Sequence, residues 1–265
     1  MSSSEFGALA DFKNYLGKAF DEFSISVLKQ GPVPKHIGFI MDGNRRFAKA
    51  RNMAPKEGHF AGFISLKNIL EWCLKLGVQA VSVYAFSIDN FNRPKDEVEA
   101  LMELTKQKVC ELSENIDFIE NHQLRIRVVG RLELLPTDVK EMMHQVNKKT
   151  ENNKGPVLNI CIPYLSTDEI STAVSKIALK LSKKEIKKNE LNEQLIESTL
   201  ASIADCPSLD LLVRTSGETR LSNFMLWQAS RGALIKFTNV NWPEFSFSTL
   251  LGIVLDYQLT KLGFV

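Results

Sequence analysis

His36-Ile37-Gly38-Phe39-Ile40-Met41-Asp42-Gly43-Asn44-Arg45-Arg46 is the stretch that decides the fold. Its first six residues form a mainly apolar run of strand length, and the run stops at a carboxylate, a glycine and two guanidinium groups. A continuous run, rather than an alternating one, fits a strand covered on both faces, as in parallel sheets. Working outward, similar runs recur at Val78 to Phe86, Leu124 to Val129, Val157 to Ile162, Leu209 to Val213 and Ala233 to Phe237. Helically spaced apolar residues lie between them, such as Phe63, Leu66, Ile69, Leu70, Cys73 and Leu74, or Val98, Leu101, Met102, Thr105, Val109 and Leu112. Strand and helix alternating throughout predict right-handed crossovers and an α/β fold: one domain with a mostly parallel central sheet covered by helices. That domain is expected to span residues 32–265.

Residues 1–31 read differently. Phe6, Leu9, Phe12, Leu16, Phe20, Phe23 and Val27 recur at three- or four-residue spacing, which predicts an amphipathic helix ending at Gly31-Pro32. Its apolar face either packs on its own domain or docks on a membrane surface; the polar face is not strongly basic. The Lys-, Glu- and Asn-rich stretch from Lys180 to Glu193 reads as a solvated helix and loop.

Composition narrows the function. The chain has 265 residues, with 33 Lys and Arg against 31 Asp and Glu, a net charge of +2. A general polyanion binder carries a marked basic excess, so no nucleic-acid partner is expected and any phosphate chemistry must be local. Cys73, Cys110, Cys161 and Cys206 form no C-x-x-C pair and read as reduced and structural. His36, His59, His122 and His144 show no zinc-ligand spacing. The N-terminus resembles no secretory signal, and no apolar stretch reaches the roughly 20 residues of a membrane span, so a soluble or peripheral protein is expected.

In open parallel sheets, ligands bind beyond the carboxyl ends of the strands. After the first strand comes Asp42-Gly43-Asn44-Arg45-Arg46, in which helix-start N–H groups and arginines suit phosphate oxygens and a lone carboxylate can hold a Mg ion bridging them. Judged alone, the same string also suits a helix cap flanked by surface arginines. Two more strand ends repeat the theme, with Ser87, Asp89, Asn90, Phe91 and Arg93 after one and Arg214, Thr215, Ser216, Gly217, Arg220, Ser222 and Asn223 after another. No G-x-x-x-x-G-K-[ST], G-x-G-x-x-G or G-x-S-x-G string is present, so the phosphates are not displayed on a standard nucleotide loop.

These strings, together with Glu57-Gly58-His59, Tyr84-Ala85-Phe86-Ser87, Arg93-Pro94, Arg214-Thr215-Ser216-Gly217-Glu218 and Trp242-Pro243-Glu244-Phe245, resemble the cis-prenyltransferases in the right order from about Pro34 to Trp242. Within that family, the string leading into the first strand is most similar to eukaryotic dehydrodolichyl diphosphate synthase catalytic subunits. The resemblance implies repeated condensation of isopentenyl diphosphate onto farnesyl diphosphate, yielding a polyprenyl diphosphate for dolichol and protein glycosylation. It implies that Asp42 holds Mg and that Asp42, Gly43, Asn44, Arg45, Arg46 and His59 grip the starter diphosphate, with Arg93 helping to neutralise it. Arg214, Arg220 and Ser222 would grip isopentenyl diphosphate. Ser87, Asn90 and Phe91 would lie near the reacting carbons, with Asn90 assisting proton removal. An apolar tunnel between the helices Phe63 to Leu76 and Glu97 to Leu112 would take the product. Peripheral attachment to the cytosolic face of the endoplasmic reticulum membrane, or to a lipid droplet, is implied as well. The alternative is a non-catalytic prenyltransferase-like scaffold or receptor subunit, although such partners lack the Asp42, Arg45 and Arg46 that this chain keeps.

The chain departs from the family pattern at several places. Phe47 and Phe91 stand for tryptophans and Asp89 for a glutamate, all mild changes. The loop Tyr164-Leu165-Ser166-Thr167-Asp168 lacks a usual arginine, and Gly232-Ala233 replaces an acidic residue of bacterial homodimers. The C-terminus reads Lys261-Leu262-Gly263 where homodimeric members carry R-x-G, and lysine cannot reproduce arginine's bidentate fork. A dimer is therefore expected, either with a Nogo-B receptor-like subunit that supplies the motif or as a homodimer in which Lys261 substitutes.

Overall fold

The opening stretch folds as strand β1 (His36–Ile40), which lies inside a six-stranded sheet of order β3-β4-β2-β1-β5-β6. The computed structural model describes residues 17, 19–114, 116–202 and 204–264. The other strands are β2 (Ala80–Tyr84), β3 (Arg125–Val129), β4 (Val157–Cys161), β5 (Leu211–Arg214) and β6 (Leu234–Phe237), and every pairing is parallel. Each of the six strand expectations is met, with every end within two residues of the expected one. Helices make the crossovers: α2 (Asn44–Ala50), α3 (Pro55–Leu76), α4 (Lys95–Glu114), α5 (Ile116–His122), α6 (Thr137–Thr150), α7 (Ser166–Ser182), α8 (Glu193–Thr199), α9 (Leu226–Ser230) and α10 (Phe247–Lys261). From β1 the chain steps to β2 on one side, and after β4 it crosses back to β5 on the other. The carboxyl ends of β1, β2 and β5 thus flank the switch point where open sheets leave a crevice.

Both faces of the sheet are covered, as the unbroken apolar runs require. Ile37, Phe39, Leu211 and Val213 point into a large core with Ile69, Leu70, Leu250 and Val254 of α3 and α10. Ile40, Leu212 and Cys161 point the other way, against Phe224, Met225 and Tyr164. A glycine and three polar residues cross this second face at one register, Gly38-Ser82-Asn159-Arg127. Asn159 Nδ2 donates to Ser82 Oγ at 3.0 Å and to Ser202 O at 3.0 Å, so the buried amide is satisfied.

Residues 19–28 form helix α1, while residues 1–16 of the expected amphipathic segment lie outside the described residues. The face of α1 that meets the domain is Ser24, Ile25 and Leu28, with Gln258 Nε2 of α10 donating to Leu28 O at 2.6 Å. Phe20, Phe23 and Val27 point to solvent. The expected apolar stripe is therefore the outward face, and a second face one residue along the wheel carries the packing. Lys180 to Glu193 is the exposed end of α7, a turn and a short 3-10 helix, as expected. No helix among the described residues is long and apolar enough to cross a membrane.

Candidate active site

At the end of β1, Asp42 is fixed by its backbone. Its N–H donates to Thr215 Oγ1 at 2.9 Å, the Thr215 hydroxyl donates to Asp42 O at 2.7 Å, and Trp242 N donates to the same carbonyl at 2.9 Å. β1, β5 and the Trp242 turn are thereby tied at one point. Gly43 follows with φ 102°, a left-handed conformation, and a Cβ there would lie 2.8 Å from Ser216 Oγ. Only glycine turns the chain here into α2, which presents Arg45 and Arg46. Helix α3 seats α2 through two more glycines, because a Cβ at Gly58 would fall on the Asn44 carbonyl and one at Gly62 would lie 2.9 Å from Trp242 Cδ1. Trp242 is buried, its Nε1 donating to Gly62 O at 2.8 Å, so it serves the fold and also floors the site.

Asp42 Oδ2 accepts from Arg214 Nη2 at 3.0 Å and lies 3.7 Å from Arg46 Nη2. Arg214, with its side chain 4% exposed, also donates from Nη1 to Ser222 Oγ at 2.6 Å and to the Arg220 carbonyl. The loop that wraps it is conformationally costly: Ser216, Gly217, Ser222, Asn223 and Met225 all have positive φ. Such strain persists where surrounding contacts over-determine the backbone, and it concentrates at working sites. Two carboxylates then space the arginines apart. Glu218 pairs with Arg46 at 3.0 Å and with Arg220, while Glu97 pairs with Arg93 at 2.8 Å and Arg45 at 3.3 Å. His59 sits between these groups; burial first, then the charges of Arg45 and Arg93, hold its pKa below the ordinary imidazole value.

At the end of β2, the 3-10 turn Ile88–Asn92 is closed reciprocally. Ser87 Oγ accepts from Asp89 N at 3.2 Å, and Asn90 Oδ1 accepts from Ser87 N at 3.0 Å. The amide oxygen of Asn90 is therefore already engaged. Phe91 is turned away, its ring stacked edge-on against Phe86 at 5.0 Å and packed on the core.

One cavity of about 1180 Å³ joins these strand ends. Asp42, Gly43, Asn44, Arg45, Arg46, His59, Ser87, Asn90, Arg93, Arg214, Arg220 and Ser222 all line it; Phe91 alone of the expected residues does not. A second limb runs between α3 and α4 past Phe63, Leu66, Leu101, Leu104 and Val109. The cavity thus has a cationic mouth and an apolar limb, the shape required by a molecule with a phosphate head and a hydrocarbon tail. Residue-by-residue reading missed Glu97 and Glu218, although the i,i+4 spacing of Arg93 and Glu97 was a usable signal. Asp42 is the carboxylate that would hold a metal ion. No cluster of three ligating side chains exists among the described residues. One carboxylate beside a phosphate grip suits Mg²⁺, which retains waters and draws its remaining ligands from phosphate oxygens.

Comparison with known proteins decides the family. The prenyltransferase family model described as undecaprenyl diphosphate synthase matches residues 40–264. The chain belongs to the cis-prenyltransferases. This cis-prenyltransferase is 43% identical over 240 residues to the human dehydrodolichyl diphosphate synthase complex subunit DHDDS, covering 91% of this chain and 72% of that one. It is 40% identical over 257 residues to dehydrodolichyl diphosphate synthase CPT3 of Solanum lycopersicum, covering 89% and 88%. Among solved structures it is similar to lavandulyl diphosphate synthase from Lavandula x intermedia in complex with dimethylallyl diphosphate, with TM-score 0.79 and 30% identity over 85% of this chain and 95% of that chain. The mostly parallel α/β architecture expected from the sequence is the architecture of the family.

Proposed function

We propose that this cis-prenyltransferase condenses isopentenyl diphosphate repeatedly onto farnesyl diphosphate to make a long-chain polyprenyl, dehydrodolichyl, diphosphate. The observation that carries the reading is the single cavity in which an arginine-rich mouth opens into an apolar limb. Relatives named dehydrodolichyl diphosphate synthase support the product class, and the dimethylallyl diphosphate bound by the lavender enzyme supports an allylic starter. A scaffold role is disfavoured because Asp42, Arg45 and Arg46 all face the cavity.

In this reading the starter diphosphate lies on Gly43, Asn44, Arg45, Arg46, Arg93 and His59. When bound by Asp42 and the diphosphate, Mg²⁺ supplies charge neutralisation at the leaving group. The arginines already hold their positions through Glu97 and Glu218, so little reorganisation accompanies the build-up of negative charge as the C–O bond breaks. Arg214, Arg220 and Ser222 hold isopentenyl diphosphate so that its terminal double bond attacks the allylic carbon. The proton then lost from the adjacent carbon passes to an oxygen of the departing diphosphate. Asn90, an amide whose oxygen already accepts from Ser87, orients this corner and is not itself a base.

A second subunit completes the enzyme. Lys261 ends α10 with its ammonium 5.5 Å from the Tyr257 ring and does not line the cavity. Beside it, Leu255, Leu259, Leu262 and Phe264 of α10 and the chain after it are exposed, an apolar surface suited to a partner, and Ile235 and Phe237 are exposed on the other face of edge strand β6. The relatives named as complex subunits support a partner subunit, and in this reading it is Nogo-B receptor-like and supplies the Arg-x-Gly end that Lys261-Leu262-Gly263 lacks. Exposed Phe20, Phe23 and Val27 support peripheral membrane contact, at the endoplasmic reticulum or a lipid droplet.

Labelled isopentenyl diphosphate, farnesyl diphosphate and Mg²⁺ test the reading, with and without partner. Chain-length-resolved polyprenyl product that disappears on chelation is expected. Asp42→Asn should lower turnover about 100- to 1000-fold while keeping the fold, because the amide still accepts from Arg214. Wild-type turnover in that variant would reject the assignment.

A further inference from the structure

The apolar limb carries one charge in its wall. Lys108 of α4 is 7% exposed, yet it lines the cavity with Phe63, Leu66, Leu104 and Val109. Its ammonium lies 4.2 Å from the ring centroid of Phe60 and 5.0 Å from that of Phe63, both on α3. Lys108 Nζ donates to Glu111 Oε2 at 2.6 Å, and Glu111 Oε1 accepts from Lys67 Nζ of α3 at 3.0 Å. Lys67 in turn lies 5.1 Å from the Phe63 ring. The two helices that bound the limb are thus bridged by an ammonium–carboxylate–ammonium chain laid over two aromatic rings, with Phe60 and Ile64 exposed beyond it.

A buried ammonium is unfavourable unless it is paired and solvated by the protein. Here one carboxylate and two ring faces do that. A hydrocarbon growing along the limb meets apolar side chains until it reaches this group. To go further it must either contact a charge or displace the rings that shield it.

We propose that Lys108, held by Glu111, is a specificity-determining residue that sets the length of the polyprenyl product by placing a charged stop at the α3–α4 bridge. The inference rests on the elongation reading above. Lys108→Met keeps the length of the side chain and removes the charge, so the limb becomes apolar past this point. Lys108→Arg keeps both the charge and the ring contacts. Glu111→Gln loosens the bridge without touching the lining.

The full-length protein and these three variants, each with its partner if one is required, are given labelled isopentenyl diphosphate, farnesyl diphosphate and Mg²⁺, and the dephosphorylated products are sized by chromatography. Thermal melts establish that each variant is folded. Lys108→Met is expected to move the modal product to greater length by at least one isoprene unit, Glu111→Gln to shift the distribution in the same direction, and Lys108→Arg to keep the wild-type mode. An unchanged or shortened distribution in folded Lys108→Met overturns the inference, as does an arginine variant that lengthens product as much as methionine. Should Lys108→Met not fold, an unchanged distribution in Glu111→Gln overturns it. No prenyl product from the wild-type protein would instead overturn the elongation reading and this inference with it, a result distinct from unchanged length in an active variant.

Discussion

His36, the first residue of β1, is fully buried, with Nδ1 donating to Pro207 O at 2.9 Å and Nε2 accepting from the Ser82 hydroxyl at 2.8 Å. Burial pushes its pKa down to about 4. Between about 4 and the ordinary 6.5 the unfolded chain binds a proton that the folded chain refuses, so this contribution to stability is complete above 6.5 and is lost as pH falls through that window. Urea denaturation should show about 2 kcal/mol of the loss between pH 7.5 and pH 5 arising from this one group. His36→Asn should be less stable at pH 7.5 yet flatter over the same range; an equally steep fall in the variant would assign the acid lability elsewhere. Nothing in the apolar run around His36 announced this role, because its partners come from Ser82 and Pro207, far along the chain. The cationic residues were legible for the opposite reason. Arg45, Arg46, Arg93, Arg214 and Arg220 stand just after strand ends, where the sheet's polarity alone sends them to the crevice. Phe91 lies off the cavity wall because the 3-10 turn Ile88–Asn92 sets its ring against Phe86. Glu97 and Glu218 escaped notice because a carboxylate's work depends on which guanidinium groups the fold brings to it.

Helices α2 and α3 meet through glycine. At Gly58 an added methyl would press on the Asn44 carbonyl and lie 3.0 Å from Ala48 Cβ, so α2 must move, and Arg45 and Arg46 with it. Gly58→Ala should therefore lower stability by about 1–3 kcal/mol and weaken starter binding as well. Gly252, inside α10, is the contrast, because a methyl added there would meet nothing within 4 Å. Gly252→Ala should raise stability by up to about 1 kcal/mol through helix propensity alone. Denaturant midpoints of the two variants check this, and a stabilising Gly58→Ala would mean that the α2–α3 contact is loose. At this scale the sequence was most informative. Apolar runs of strand length marked all six strands, and most of those runs are continuous because both faces of the central strands are covered, whereas edge strands β3 and β6 alternate. Helix α1 shows the limit: Phe20, Phe23 and Val27 make the more conspicuous stripe, yet Ile25 and Leu28 do the packing. Periodicity identifies an apolar face without saying what covers it.

Across the whole molecule, the cavity is assembled from strand ends and helix faces that are distant in the chain, so its volume and the bridge over its limb were not readable from any local pattern. The C-terminus was readable only as a departure, Lys261 in place of an arginine. If a second subunit supplies the missing fork, the lone chain should turn over slowly, Lys261→Ala should change little, and added partner should restore the rate. A fully active lone dimer silenced by Lys261→Ala would establish the homodimer instead. The central claim is that two diphosphates occupy separate grips, the starter on the β1 side and isopentenyl diphosphate on the β5 side. Arg220 is the residue with which to test it, because its side chain is 63% exposed and can be removed without disturbing the buried Arg214–Asp42 pair. Steady-state kinetics of Arg220→Ala should show the KM for isopentenyl diphosphate raised about 10- to 100-fold, the loss of one charge-assisted contact, with the KM for farnesyl diphosphate changed by less than about threefold. An equal rise for both substrates, or a larger one for the starter, would contradict the two-site account.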